Sequence, residues 1–316
     1  MGTFYTVTYR ADIPPVELKP ALEEHLSEIE AQLSNWKNDS WISRFNHSRD
    51  TSFVAIPMHA CEVVKAALVL ARQTDRALDP TLGNLINLWG FGPAKADRTP
   101  DRQTIREALK ATGPGKIILA EKPARIAKTD PDLKLNVSSI AKGYAADVLA
   151  RALEQDGITN YIVNIGGEMR VSGHPEDGSS WKVAIQKPDP GARDGQAHVT
   201  IQLSKAGLAT SGDYRRYLEI GGQRYPHILD PQTGRPVQTD LVSATIIAST
   251  SMQADGLATA CLVLGLQKAQ EVIAGMPGAE GLFIQRDEDN QYHTHTTPGW
   301  PDAKLQGRKP KLGESI

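Results

Sequence analysis

Residues 138–168 read SSIAKGYAADVLARALEQDGITNYIVNIGGE, a helical pattern closed by Gly157 and followed at once by the buried strand YIVNI and a Gly-Gly turn. Further helix–strand alternation would give a parallel sheet. Instead WKVAIQ (181–186), HVTIQL (198–203), GLATSG (207–212) and YRRYLEI (214–220) follow as short strands without helices between them. Too many strands succeed one another for a pure βαβ sheet, so the pattern predicts an α+β (mixed α/β) fold.

Working outward, KIILA (116–120) and ARIAK (124–128) read as a hairpin. Downstream come a strand SATIIA (243–248), a helix SMQADGLATACLVLG (251–265), a helix QKAQEVIAGM (267–276) and a strand GLFIQ (281–285). The N-terminal MGTFYTVTYR alternates as a strand, and Leu22, Leu26, Ile29, Leu33 and Trp36 recur at helical spacing in a helix ending near Trp36. A second apolar helix covers about 61–76, and the polar segment 93–115 holds a short helix at 101–111. Residues 1–300 read as one domain with room for two lobes, and 301–316 as a poorly ordered tail. No internal repeat occurs.

Composition narrows the function. With 35 Lys+Arg against 37 Asp+Glu, the net charge of −2 supplies no basic field for nucleic acid or an anionic membrane. Cys61 and Cys261 lie in apolar runs and read as buried thiols. No apolar run is long enough for a transmembrane segment, and the reading is of a soluble chain.

Five places could carry chemistry. Asp255 and Thr259, at i and i+4 on the helix from 251, present a carboxylate and a hydroxyl on one face, a pair that suits a hard cation such as Mg²⁺. It equally suits a helix-dipole charge with a back-bonded threonine. Ser138, Ser139, Lys142 and Gly143 at a helix start make an anion-binding nook or only a serine cap beside a solvated lysine. Gly166-Gly167 and Thr210-Ser211-Gly212 offer close backbone approach at strand ends, or plain turns. In YPHILDPQTGRPV (225–237), His227 precedes a turn built by Asp230-Pro231 and Gly234, either as a proton-transfer group on a rigid loop or as a polar corner residue. There is no GxxxxGK[ST], strand-borne GxGxxG, HExxH, paired CxxC or GxSxG, which removes the common nucleotide-loop, zincin, zinc-ribbon and hydrolase readings.

Eight stretches in order give the chain a wider likeness: Met1-Gly2-Thr3; LSNWKNDSWISRFN (33–46); ALDPTLGNLINLWGFGP (77–93); SSIAKGYAAD (138–147); NIGGE (164–168); ATSGDYRRY (209–217); HILDPQTGRPV (227–237); and SATIIASTSMQADGLATA (243–260). In these the chain resembles the ApbE family, flavin transferases that attach FMN from FAD to a protein hydroxyl. The resemblance implies a T-fold-like architecture with a central cleft between two packed lobes. It implies FAD contacts from Met1, Trp36, Ala77, Leu78, Asp79, Asn136, Lys142 and Leu229, and a Mg²⁺ site from Asp255, Thr259 and the Ser139 carbonyl. His227 becomes the base for a Ser or Thr hydroxyl of an acceptor protein, expected to be a flavin-dependent redox protein. Many relatives carry Asp where Asn136 stands, and some carry a second Asp where this chain has Ala258, which implies a weaker metal shell. Rival activities are FAD hydrolysis to FMN and AMP, or flavin carriage. The resemblance further implies work in the bacterial periplasm or at the outer face of the inner membrane if a signal or lipobox precedes these residues, and in the cytoplasm otherwise.

Overall fold

The computed structural model describes residues 2–11, 17–93, 98–186, 188, 197–213, 217–301 and 304–305. Its centre is a seven-stranded antiparallel sheet in the order β1 (Tyr5–Arg10), β5 (Asn160–Ile165), β6 (Glu168–Ser172), β9 (Lys205–Gly212), β12 (Leu241–Ala248), β13 (Glu280–Arg286) and β14 (Tyr292–Thr296). Strand β12 lies inside the sheet, between β9 and β13, and all eight of its residues are buried. Both of its faces are covered, so LVSATIIA reads as a nearly continuous apolar run rather than as an alternation.

One face carries the helices α1 (Leu18–Leu33), α3 (Met58–Gln73), α6 (Ala141–Gln155), α7 (Ser251–Leu264) and α8 (Leu266–Ala274), with a core that includes Ile29, Val63, Leu149, Ala244, Ile246 and Leu257. The other face packs on a three-stranded sheet of β15 (Lys304–Leu305), β8 (Ala197–Leu203) and β7 (Trp181–Gln186), through Val171, Leu208, Val242 and Ile284 against Val183, Val199 and Ile201. The expected hairpin is present as β3 (Ile117–Glu121) and β4 (Ala124–Lys128), joined at its edge by β2 (Val54–Ala55) and followed on from α2 (Trp41–His47).

A separate small core supports the loop of His227. It joins Leu82, Leu85, Trp89, Phe91, Ile105 and Leu229, from α4 (Gly83–Leu88), α5 (Arg102–Lys110) and the loop itself, and the hairpin β10 (Tyr217–Ile220) and β11 (Gln223–Pro226) packs on it.

Several expectations need correction. Helix α1 ends at Leu33, because the Ser34 carbonyl turns out to accept from the Ser40 and Ser43 hydroxyls, and Trp36 sits beyond it, 57 % exposed. Helix α3 runs Met58–Gln73 instead of 61–76, opened by extended Pro57 and stopped by Asp75 and Arg76 in the left-handed region. Cys261 is buried but Cys61 only partly so, and both thiols are free. In the expected tail, Lys304 and Leu305 pair with Thr200 and Val199, and 306–316 lie outside the described residues. Among the described residues no helix is long and apolar enough to cross a membrane.

The first turns of α6 and α7 meet without space for a side chain. A Cβ built on Gly143 would lie 2.2 Å from the Ser251 carbonyl oxygen. Gly143→Ala is therefore expected to cost about 1–3 kcal/mol through forced backbone separation. A lower urea midpoint at unchanged slope is the readout, and a midpoint equal to wild type would show that the helices part freely.

Candidate active site

Two adjoining cavities of about 300 and 140 Å³ share a wall of Ile86, Asn136, Ser138, Lys142 and His227. The outer, larger one adds Trp36, Asn35, Phe91 and Ala141. Into the inner one come Ala77, Leu78, Asp79, Ser139, Ser211, Leu229, Asp255 and Thr259. Thus every site residue that the family resemblance implies borders this pair of cavities except Met1, which lies outside the described residues, whereas Gly143, Gly166, Gly167, Thr210 and Gly212 border neither.

The loop of His227 is rigid for reasons visible in its chemistry. Asp230 accepts from the Gln232 amide at 2.8 Å and the Thr233 hydroxyl at 2.9 Å, and Gly234, at φ 67°, returns its amide to the Asp230 carbonyl at 2.8 Å. Val237 N–H donates to the Ile228 carbonyl at 2.9 Å, which closes the loop base. Buried Trp89 donates its indole N–H to the Gly234 carbonyl at 2.8 Å. The His227 ring, half-buried, meets Phe91 edge-on with centroids 6.4 Å apart.

Helices α6 and α7 exchange carboxylates across their contact. Asp147, on α6, accepts from the Ser251 and Met252 amides of α7, each at 2.9 Å. In return Asp255, on α7, accepts from the Gly143 amide of α6 at 3.0 Å through Oδ2. In a longer helix that amide would bond the carbonyl four residues back, at Ser139. Its diversion to Asp255 leaves the Ser139 carbonyl free of that role beside the cavity.

Burial pushes the Asp255 carboxyl up to about 7; the Lys142 ammonium opposes this, and the Glu168 charge adds to it. Burial likewise raises Asp147, against the pull of its two amide donors. Thr259 shares a hydroxyl contact of 3.2 Å with Ser211. Asp255 Oδ1, the Thr259 hydroxyl and the Ser139 carbonyl thus form an all-oxygen set with one carboxylate, which fits Mg²⁺ completed by water or a substrate phosphate. No cluster of three His, Cys, Asp or Glu side chains suited to a metal exists among the described residues, so the fit depends on the hydroxyl and carbonyl. Ala258, beside Thr259 in the chain, is fully buried and lines neither cavity.

Two of the residues implied as FAD contacts have polar atoms already engaged. Asp79 accepts from Thr81 and Arg76 and braces the 76–81 loop, while the Asn136 side-chain Oδ1 accepts from the Ser138 amide at 3.0 Å and from the Ser138 hydroxyl. Asp147, Glu168 and Ser211 belong to the site and were not singled out as ligands. The signal was present for two of them: Asp147 interrupts an otherwise apolar helix face, and Glu168 puts a carboxylate on a strand start that the fold must bury.

Comparison with known proteins agrees with this arrangement. Residues 1–283 match the model of the ApbE family. A Klebsiella pneumoniae protein called FAD:protein FMN transferase is 41 % identical over 293 residues, covering 91 % of this chain and 83 % of its own. The solved flavin transferase ApbE of Vibrio cholerae superposes with a TM-score of 0.85 at 36 % identity, covering 95 % of each chain. The apo flavinyl transferase ApbE of Pseudomonas stutzeri gives 0.84 at 36 % identity, covering 94 % of this chain and 92 % of that one. With mixed α/β architecture and sequence in agreement, the chain belongs to the ApbE family.

Proposed function

We propose that this protein transfers the FMN half of FAD to a Ser or Thr hydroxyl of an acceptor protein and releases AMP, with Mg²⁺ as its metal. Relatives named for that reaction support the reading. One observation carries the finer part: His227 and Lys142 stand on the wall common to both cavities, while the oxygen set of Asp255, Thr259 and Ser139 opens only into the inner one. A pyrophosphate laid across that wall would have a base on one side and a cation site on the other.

The acceptor hydroxyl attacks the phosphorus on the riboflavin side. The bridging P–O bond breaks, its electron pair leaves with AMP, and the hydroxyl proton passes to His227. Lys142 offers its ammonium to the phosphate oxygens, and Trp36, on the rim of the outer cavity, supplies an indole on which a flat ring could stack. Ala77, Leu78 and Leu229 close the inner wall against water. When bound, Mg²⁺ draws charge from the pyrophosphate and from the departing phosphate.

The test is incubation with FAD, Mg²⁺ and a candidate acceptor protein. Transfer adds an FMN-sized mass to the acceptor and yields AMP. AMP without the added mass makes water the acceptor and overturns transfer in favour of hydrolysis. FAD binding with neither product reduces the protein to a carrier.

A further inference from the structure

Glu168 opens β6 directly after the Gly166-Gly167 turn, and its side chain is only 2 % exposed. Its Oε1 pairs with the Lys142 ammonium, while Oε2 is buried with no hydrogen-bond partner. A carboxylate kept for stability alone would have both oxygens satisfied, because a buried acceptor without a donor loses its hydration uncompensated. Glu168 itself does not border either cavity, so it does not touch a ligand there. What it does hold is the one lysine ammonium that the described residues place on the wall between them.

That ammonium has a second carboxylate within electrostatic reach, Asp255, which borders the inner cavity with it. Asp255 Oδ2 is occupied by the Gly143 amide, so Oδ1 is what a cation would take. An ammonium resting on Oδ1 would displace that cation. We propose that Glu168 is a positioning residue that anchors the Lys142 ammonium away from Asp255, keeping Oδ1 open to a divalent cation while Lys142 faces phosphate. This rests on the Mg²⁺ reading given above.

Mn²⁺ binding by the FAD-free protein, followed by electron paramagnetic resonance, tests it without turnover. Glu168→Gln should weaken Mn²⁺ binding on the order of ten-fold or more as Lys142 swings to Asp255. Glu168→Asp, which keeps the charge but shortens the reach, should also weaken it, whereas a pure charge effect leaves it at wild type. In a Lys142→Met background the Glu168→Gln loss should vanish; independent charge effects would instead add and leave the same loss. Unchanged Mn²⁺ binding in Glu168→Gln, or an equal loss in both backgrounds, overturns the positioning role alone. A wild-type protein that takes up no Mn²⁺ overturns the metal reading, and the inference with it. Thermal unfolding of each variant separates these results from misfolding.

Discussion

Asp255→Asn is expected to bring FMN transfer and AMP release down by on the order of 10³-fold or more at saturating FAD and Mg²⁺. The substitution keeps the shape of the side chain and the acceptor for the Gly143 amide, so α6 and α7 stay in register while the only carboxylate of the cation set is lost. Activity that survives in this variant and resists EDTA would remove Asp255 from the metal site. A pH dependence comes with it. In the folded, metal-free protein the Asp255 carboxyl titrates at about 7, against its ordinary value of 3.8. Between those values the folded chain holds a proton that the unfolded chain has lost, so stability falls as pH rises through the window and levels off above it. Mg²⁺ must displace that proton, so its affinity should climb with pH up to about 7 and then flatten. Asp255→Asn should flatten both slopes, with the burial-raised Asp147 leaving a remainder of the same sign in the metal-free curve; a variant that keeps the full wild-type pH dependence would assign it to another group.

His227→Ala should lower the transfer rate by about 10²–10⁴-fold while FAD affinity stays within a few-fold of wild type. The imidazole stands on the wall common to both cavities, and its loop is fixed by the Asp230 turn and by Trp89 rather than by the ring itself. Removing the ring therefore takes away a proton acceptor without collapsing the loop. Single-turnover rates with FAD prebound separate the two effects. A variant that transfers at the wild-type rate would leave His227 with a purely orienting role, and one that loses FAD affinity in proportion would make it a ligand contact.

Much of the fold is legible in period and punctuation. The strands β5, β7, β8 and β9 and the helix from Ser251 to Leu264 follow directly from residue pattern, because each depends on neighbours in sequence, whereas the short β6 between them is not read from it. Strand β14, YHTHT, escapes because it is a polar edge strand with no buried face to alternate. The site is legible where turn chemistry or a known motif marks it, as at Asp230-Pro231 and Gly234. It is illegible where distance in sequence is large: Trp89 braces Gly234 across 145 residues, and Asp147 reaches Ser251 across 104. Nothing local distinguishes such an indole or carboxylate from one that merely packs. The same holds for Trp36, which helical spacing assigned to α1 but which the Ser34 carbonyl releases into the cavity rim.

The crossed carboxylates of α6 and α7 also bear on how this enzyme could be recombined. Asp147 serves amides of the other helix, Asp255 does the same in return, and Gly143 supplies the clearance that lets them meet. Segments 141–147 and 251–255 therefore form one transplantable module despite the hundred residues between them. A chimera that takes either segment from a distant relative without the other would inherit an unpaired carboxylate and first-turn amides without their acceptor, whereas one that exchanges both should keep the two helices in register.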